Sequence, residues 1–250
     1  MSLPPRFHCP VVLASGAELA LPAGVARHVQ VLRLQPGDSI VLFGTPLQSP
    51  AGPEGEYAAT ILEMGRSAVQ VQVGQRRATD REAARRVHLA IGMPANERMD
   101  WLVEKATELG AASVQALMTE RTVVRLDGMR ALKRAEHWLS IAIAACEQCG
   151  RNQVPAIAVV QPLRQWLTRL ADADGNPGLR VLLTFRPDAR PLPEVVGTTP
   201  QHVTVLAGPE GGLSPDEEQQ ALRLGFVPVH LGPRILRAET AALAALTLLA

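Results

Sequence analysis

The chain has 250 residues, of which 47% are hydrophobic and 20% are charged, and its formal net charge is +1. This length is sufficient for one large domain or two modest domains with a buried core. The small net charge gives no bulk-charge argument for a nucleic-acid-binding protein. Only four Phe, three Trp and one Tyr are present, which argues against a stacking platform for single-stranded RNA.

The sequence also bears on compartment, disulfides and metals. The first residues lack a basic start followed by a long apolar run, and the longest apolar stretch, 241–250, is too short to span a bilayer. We therefore expect a soluble, cytoplasmic protein with no membrane partner. Three cysteines, an odd number, argue against a disulfide framework. Cys146 and Cys149 form a CxxC within the apolar periodicity of a helix, which favours packing over a redox or zinc role, so we expect no metal.

Residues 1–75 are predicted to form a small β domain. Apolar and polar residues alternate in four short segments separated by turn residues: 18–21, 38–43, 57–62 and 68–73. One helix is expected over about 23–34, and 47–55 has the composition of a hairpin loop. Short strands at this spacing suggest a small barrel. The arginine-rich segment 76–86 is predicted to be a linker, solvated or close to RNA phosphate.

Residues 87–250 show strands alternating with helices, which predicts an α/β domain with a mostly parallel sheet. The expected strands are 87–93, 113–118, 155–160 and 179–185. The expected helices are one capped by Asn96 and ended by Gly110, one over about 130–149 and one over 163–171, with a loop at 172–178.

The last fifty residues contain two apolar runs, 203–217 and 227–240, and each ends in a glycine-proline turn followed by a helix start. In the first run, Ser214 and Glu217 have the spacing of a capping box. Glycines allow the backbone to turn sharply and to approach a ligand closely. Two such loops at the carboxyl ends of neighbouring strands would form a crevice in which backbone groups face the ligand.

These loops carry a family resemblance. The stretches GPEGGLSPDE (208–217) and LGPRILRAETA (231–241) resemble the two signature stretches of the bacterial 16S ribosomal RNA uridine-N3 methyltransferases, which belong to the SPOUT superfamily. Residues 28–33, 104–110 and 147–151 are also similar to the family pattern.

The resemblance implies an architecture and a set of partners. The first domain, 1–75, would be a PUA-like RNA-binding β-barrel, and 87–250 would be a SPOUT methyltransferase domain with a C-terminal trefoil knot. The implied cofactor is S-adenosylmethionine, and the implied substrate is 16S ribosomal RNA within the 30S subunit. A partner subunit completes the substrate site in SPOUT enzymes, so the resemblance also implies a homodimer.

Two sets of residues follow from the same resemblance. The cofactor site would be lined, mostly through backbone groups, by Thr184, Leu206, Gly208, Glu210, Gly211, Leu231, Gly232, Ile235 and Leu236, with the adenine enclosed by Leu206, Leu231 and Ile235. The candidate RNA contacts are Arg6, Arg27, His28, Arg33, Arg121, Arg125, Arg134 and Arg151. From the residues alone, a solvated helix face is the favoured interpretation of Arg6, Arg27, His28 and Arg33. The similarity of residues 28–33 to the family pattern shifts the interpretation towards RNA contact.

The candidate chemistry depends on positioning. The sequence has no P-loop, GxGxxG fingerprint, zinc set or nucleophile elbow. Methyl transfer fits such a chain because the sulfonium of the cofactor carries the activation. Uracil N3 carries a proton at neutral pH, and its loss leaves negative charge on N3 and both carbonyl oxygens. The permanently charged, forked guanidinium of Arg237 is the candidate catalytic group that stabilises this anion.

Three other functions remain open at this point. One is a SPOUT enzyme that acts on another atom, such as a ribose 2′-hydroxyl. Another is a non-catalytic RNA-binding protein of ribosome assembly that keeps the pocket only as structure. The third is a nucleotide-phosphate enzyme, which ranks last because neither glycine turn has a neighbouring lysine.

Overall fold

The structure is a computed structural model that describes residues 4–44, 55–66, 68–94, 98–172, 178–197 and 201–250. The chain divides into two compact units: 1–82 with 143–154, and 83–142 with 155–250. Most of the expected loops at 47–55 and 172–178 and the expected cap Asn96 lie outside the described residues. No helix in the described ranges has the length and apolar character needed to cross a membrane.

The first unit contains a five-stranded sheet in the order β1-β3-β4-β5-β2 and one complete helix. Only β1 and β3 pair in parallel; the other pairs are antiparallel. Alternate valines of β5 are buried, as the period of two requires. The elements are β1 Arg6–His8, β2 Glu18–Ala20, α1 Ala23–Val31, β3 Ser39–Phe43, β4 Glu56–Met64 and β5 Val69–Arg77.

The four predicted strands of this unit are confirmed, whereas the predicted helix ends earlier than expected. It stops at Val31 because Arg33 takes a left-handed backbone conformation, with a φ of 56°. A residue in that conformation commonly ends a helix. Strand β1 has only three residues, too few for an alternating pattern to reveal it, and it was not predicted.

Residues 143–154 belong to the first unit, although the sequence analysis assigned all of 87–250 to the second domain. Buried ion pairs explain the difference. Arg151 is 4% exposed, and its guanidinium donates to both carboxylate oxygens of Glu82. Arg6 bonds to Glu56 and also donates to Asn152 Oδ1 at 2.7 Å. These contacts tie 151–152 to the strands and to the segment that follows β5.

The second unit is built on a seven-stranded sheet in which every pair is parallel, so the predicted α/β class is confirmed. The strand order is β10-β12-β9-β11-β6-β7-β8. The strands are β6 Arg86–Gly92, β7 Ser113–Met118, β8 Ala156–Pro162, β9 Leu179–Leu183, β10 Arg190–Pro191, β11 His202–Ala207 and β12 Val227–His230.

The helices of this region alternate with the strands along the chain. They are α2 Arg98–Glu108, α3 Gly128–Cys149, α4 Leu163–Ala171, α5 Leu192–Val196, α6 Pro215–Arg223 and α7 Ala238–Leu249. The last part of α3 is counted with the first unit. Because β9 lies between β11 and β12, the carboxyl ends of these three parallel strands meet at one edge of the sheet. Ligands of open α/β sheets bind at such an edge.

The buried pair of Arg151 and Glu82 gives a stability prediction. Replacing Arg151 with Met should lower the free energy of unfolding by about 3 kcal/mol, because the Glu82 carboxylate, whose side chain is only 18% exposed, then loses its cation. Urea titration measures this change. The control is Arg130→Met, which breaks a pair with Asp127 whose side chains are 72% and 83% exposed; it should cost less than about 1 kcal/mol. Equal small losses for both variants would contradict the prediction.

Candidate active site

A cavity of about 650 Å³ opens where β9, β11 and β12 end. Its walls are the residues that follow these three strands, together with Arg121 from the segment after β7. The catalytic candidate Arg237 lines it. Seven of the nine predicted cofactor residues line it as well: Thr184, Gly208, Glu210, Gly211, Leu231, Ile235 and Leu236.

The other two predicted cofactor residues lie elsewhere. Leu206 is fully buried in a core cluster with Leu182 and Leu213, and its neighbour Ala207 lines the cavity instead. Successive side chains of a strand point to opposite faces, so the two residues cannot both face the ligand. The side chain of Leu206 thus belongs to the core, and its expected place beside an adenine stays a prediction. Gly232 shapes its turn, with a φ of 105° and its amide donating to His230 Nδ1.

The first glycine turn is packed so closely that no side chain fits at Gly208. A Cβ there would lie 2.6 Å from the carbonyl carbon of Gly212 and 2.7 Å from the amide nitrogen of Leu213. Gly92, at the end of β6, has a similar constraint, because its Cβ would lie 2.5 Å from Pro209 Cδ. Gly212 also has a φ of 70°, which favours glycine.

The helix start after this turn is the predicted capping box, which is confirmed. Ser214 Oγ accepts from the amide of Glu217, and Glu217 Oε2 accepts from the amide of Ser214 at 2.9 Å. The second oxygen, Oε1, accepts from the amide of Glu120 at 2.8 Å. Arg121 then donates to the carbonyl oxygen of Gly211 at 2.6 Å. The segment after β7 thus holds the glycine turn through two hydrogen bonds.

Four polar residues of the cavity were not predicted from the sequence: Arg186, Glu218, His230 and Arg234. Thr184 donates its hydroxyl to Glu218 Oε1 at 2.8 Å, and Arg186 Nη1 lies 3.8 Å from Glu218 Oε2. The hydrogen bond from Arg186 holds the pKa of Asp188 below its ordinary value. Glu218 follows directly on the capping box, and Arg186 follows the end of β9, so their positions next to predicted loops were the available signal.

Arg237 is exposed and sits at the N-cap of α7, with its backbone in an extended conformation. Among the described residues no side chain forms an ion pair with its guanidinium. Arg237 therefore lines the cavity with no ion-pair partner in the described part of the chain. This arrangement suits a group that binds negative charge on a ligand.

The predicted RNA contacts divide into exposed and internally bound residues. On the first unit, Arg27, His28 and Arg33 are exposed. Arg151 is buried and Arg6 is engaged by Glu56 and Asn152, so both guanidinium groups bind acceptors within this unit.

On the second unit, the RNA candidates are tied to nearby acceptors. Arg121 lines the cavity, Arg125 donates to the carbonyl oxygen of Glu120 at 3.1 Å, and Arg134 lies 3.9 Å from Asp100. Trp138 is 2% exposed and donates to Asp100 Oδ1. Burial raises the pKa of Asp100, but hydrogen bonds from His137 and Trp138 outweigh it and hold this pKa below its ordinary value.

The surroundings of the cysteines bear on a redox or metal role. Burial raises the pKa of Cys146 to about 12, so its thiol stays protonated at neutral pH. Its Sγ donates to the carbonyl oxygen of Gln153 at 3.5 Å, a packing environment for this half of the CxxC. In the part of the chain that the structure describes, no three His, Cys, Asp or Glu side chains form a group that could hold a metal ion.

The family model and the relatives that match this chain are described as RNA methyltransferases. Residues 81–250 match the family model described as RNA methyltransferase domain. The chain is 33% identical over 221 residues to the ribosomal RNA small subunit methyltransferase E of Bacillus subtilis, covering 88% of this chain and 84% of that protein.

Two solved structures are similar to this chain over nearly its whole length. A methyltransferase of Legionella pneumophila with bound S-adenosylmethionine has a TM-score of 0.86 at 33% identity, covering 99% of this chain and 97% of that one. The ribosomal RNA small subunit methyltransferase E of Neisseria gonorrhoeae, bound to S-adenosylmethionine, has a TM-score of 0.85 at 35% identity, with coverages of 98% and 96%.

Gly208 provides a test of the cavity. Gly208→Ala should weaken the binding of S-adenosylmethionine at least tenfold, because the new Cβ forces the turn away from Gly212 and Leu213 and a misplaced wall forfeits contacts. Titration calorimetry measures the affinity. The control is Gly24→Ala in α1, where nothing lies within 4 Å of the new Cβ. That change should leave affinity unaltered, and unaltered affinity in Gly208→Ala would contradict the model of the wall.

Proposed function

We propose a function from one premise: the chain belongs to the ribosomal RNA small subunit methyltransferase E family. The chain uses S-adenosylmethionine to methylate ribosomal RNA of the small subunit. Its target in our proposal is N3 of a uridine in 16S ribosomal RNA, presented within the 30S subunit in the cytoplasm. The observation that carries the proposal is the cavity between the glycine turns with Arg237 on its wall.

The residues of the cavity fit S-adenosylmethionine. The volume of about 650 Å³ accommodates a ligand of this size. Gly208 and Gly211 bring backbone groups to the wall, where a larger residue at Gly208 would collide with the loop. Leu231 and Leu236 provide apolar surface for an adenine, and Glu218 provides negative charge for the cationic end of the cofactor. When bound, the cofactor supplies an activated methyl group.

Arg237 has the properties that a uridine N3 reaction requires. Removal of the N3 proton creates an anion that extends over both carbonyl oxygens of the ring. A guanidinium presents two parallel donors, keeps its charge at every physiological pH, and matches two acceptors of a planar ring. In our proposal Arg237 binds this anion and orients the ring towards the methyl donor. A ribose hydroxyl would give no such extended anion.

Finer features of the fold are part of the proposal. We assign a PUA-like RNA-binding barrel to the first unit, supported by its five short strands. We assign a trefoil knot to the C-terminal region, supported by the sheet order, in which β9 lies between the later strands β11 and β12. Knots are very rare in proteins, so the family premise supplies the main argument here.

A homodimer also belongs to the proposal. Met129, Leu132 and Leu139 of α3 are 66%, 43% and 40% exposed, and their spacing places them on one face of the helix. Apolar side chains that gather on one exposed face often mark an interface. The mass of the protein in solution, compared with 26.8 kDa for one chain, tests this part of the proposal.

The reaction is tested with 30S subunits that lack their base methylations. Wild-type protein and labelled S-adenosylmethionine should produce 3-methyluridine, identified after digestion to nucleosides. Arg237→Ala should reduce the rate about a hundredfold, the loss expected for one key charge-stabilising group. Cofactor affinity, measured by calorimetry, should change much less, because Arg237 acts on the base.

Arg234→Ala is the matched control, since Arg234 lines the same cavity three residues earlier. It should keep a rate within a few-fold of wild type. Equal losses in both variants would mean that the charge of the loop, and not Arg237 itself, supports the reaction. A 2′-O-methylated product would show that the target atom is a ribose oxygen and not uridine N3. Cofactor binding without methylation of subunits or naked RNA would favour an assembly protein.

The exposed set on the first unit gives a separate prediction. If Arg27 contacts a phosphate, Arg27→Gln should weaken binding of 16S ribosomal RNA and reduce the slope of log affinity against log salt by about 1. Filter binding at several salt concentrations measures both values. Arg169→Gln, which removes an exposed charge from α4, is the control and should leave the slope unchanged. Equal slopes for the wild-type protein and both variants would show that Arg27 does not contact an RNA phosphate.

A further inference from the structure

Arg98, the first residue of α2, contacts carboxylates from both cavity loops. Its Nη1 donates to Glu210 Oε1 at 2.9 Å, and its Nε lies 4.0 Å from Glu239 Oε1. Glu210 belongs to the turn after β11, whereas Glu239 lies two residues beyond Arg237 in the first turn of α7. A single guanidinium therefore joins two segments that are almost thirty residues apart in the chain.

The three side chains differ in their relation to the cavity. Glu210 lines it, but Arg98 and Glu239 lie outside the described residues that form its wall. Glu239 is only 6% exposed, and its Oε2 has no hydrogen-bond partner within the described ranges. Burying a carboxylate is costly unless a positive charge compensates it. The nearby guanidinium of Arg98 and the amino end of α7 provide that compensation.

This geometry restrains both loops at once. If Arg98 moves, the side chain of Glu210 loses the hydrogen bond from Arg98, and the carboxylate of Glu239 loses its nearest cation in the described part of the chain. Glu239 is anchored in α7, whose first turn carries Arg237, so its position determines where the second loop ends. Glu210 occupies the centre of the first glycine turn. Arg98 thus links the two walls from a position outside the cavity.

We propose that Arg98 is a positioning residue, which fixes the two cavity loops relative to each other through Glu210 and Glu239. The proposal rests on the proposed function for the identity of the ligand, but not for the effect on the loops themselves. Loops held in place before binding lose less conformational entropy when a ligand arrives, and affinity rises accordingly. Arg98 should therefore matter to the empty protein as well as to the complex.

The decisive experiment is hydrogen exchange on the full chain without cofactor. In Arg98→Met, peptides covering 208–213 and 231–237 should exchange faster, while the strands of the sheet keep their protection. Arg98→Lys, which retains the charge, should restore much of the protection. The affinity for S-adenosylmethionine should fall roughly tenfold in Arg98→Met, within the usual range for coupling between sites.

Lys105→Met is the matched control. Lys105 lies on the same helix and also contacts two carboxylates, Glu104 and Glu108, each at 2.7 Å. Its loss should leave the exchange of both loops unchanged. If Arg98→Met alters neither loop, or only one, the positioning role is overturned. It is also overturned if protection is lost throughout the unit, since Arg98 would then be a general stabilising residue.

A double-mutant cycle tests whether Arg98 acts on the loops through Glu239. Since Arg98 and Glu239 act together, Arg98→Met and Glu239→Gln combined should affect loop exchange by clearly less than the two separate effects added. Additive effects would exclude this route. Failure of the proposed function is separately visible: wild-type protein would then not bind S-adenosylmethionine, while the exchange results would still report on the loops.

Discussion

The close backbone packing at Gly208 is the constraint on which the rest of the site depends. The turn after β11 folds back so closely that a Cβ at Gly208 would lie 2.6 Å from the carbonyl carbon of Gly212, and its proline lies against Gly92 at the end of the neighbouring strand. Only residues without a Cβ permit both approaches. This part of the cavity wall is consequently made of main chain, so its shape is determined by the course of the backbone and depends little on side-chain rotamers.

Three residues hold this turn in place. Glu217 uses both carboxylate oxygens, one for its own helix start and one for the amide of Glu120, and Arg121 holds the carbonyl oxygen of Gly211. Arg98 acts on the opposite side through Glu210. Charge-assisted hydrogen bonds of this kind are stronger than neutral ones. A ligand that enters the cavity therefore meets a wall that is already in place, as a site that works by positioning requires.

The sequence predicted the structure best where the structure depends on residues close together in the chain. Alternation predicted β3, β4 and β5, and the spacing of Ser214 and Glu217 predicted the capping box, because each depends only on residues nearby in the chain. The burial of Leu206 was missed because the face of a strand that meets the core is decided by packing partners far away in sequence. The buried pairs of Arg6 and Arg151 depend on residues up to 146 positions apart, which no local pattern can reveal.

Those distant pairs bear on the order in which the protein can be made. A chain is synthesised from its amino end at about 5–20 residues per second, so the strands of the first unit leave the ribosome well before residues 143–154. Until then Glu56 lacks the brace that Arg6 forms with Asn152, and Glu82 has no Arg151. The first unit is thus the first to begin, but it is complete only after residue 154 has been made. Its completion waits for sixty intervening residues that belong to the other unit.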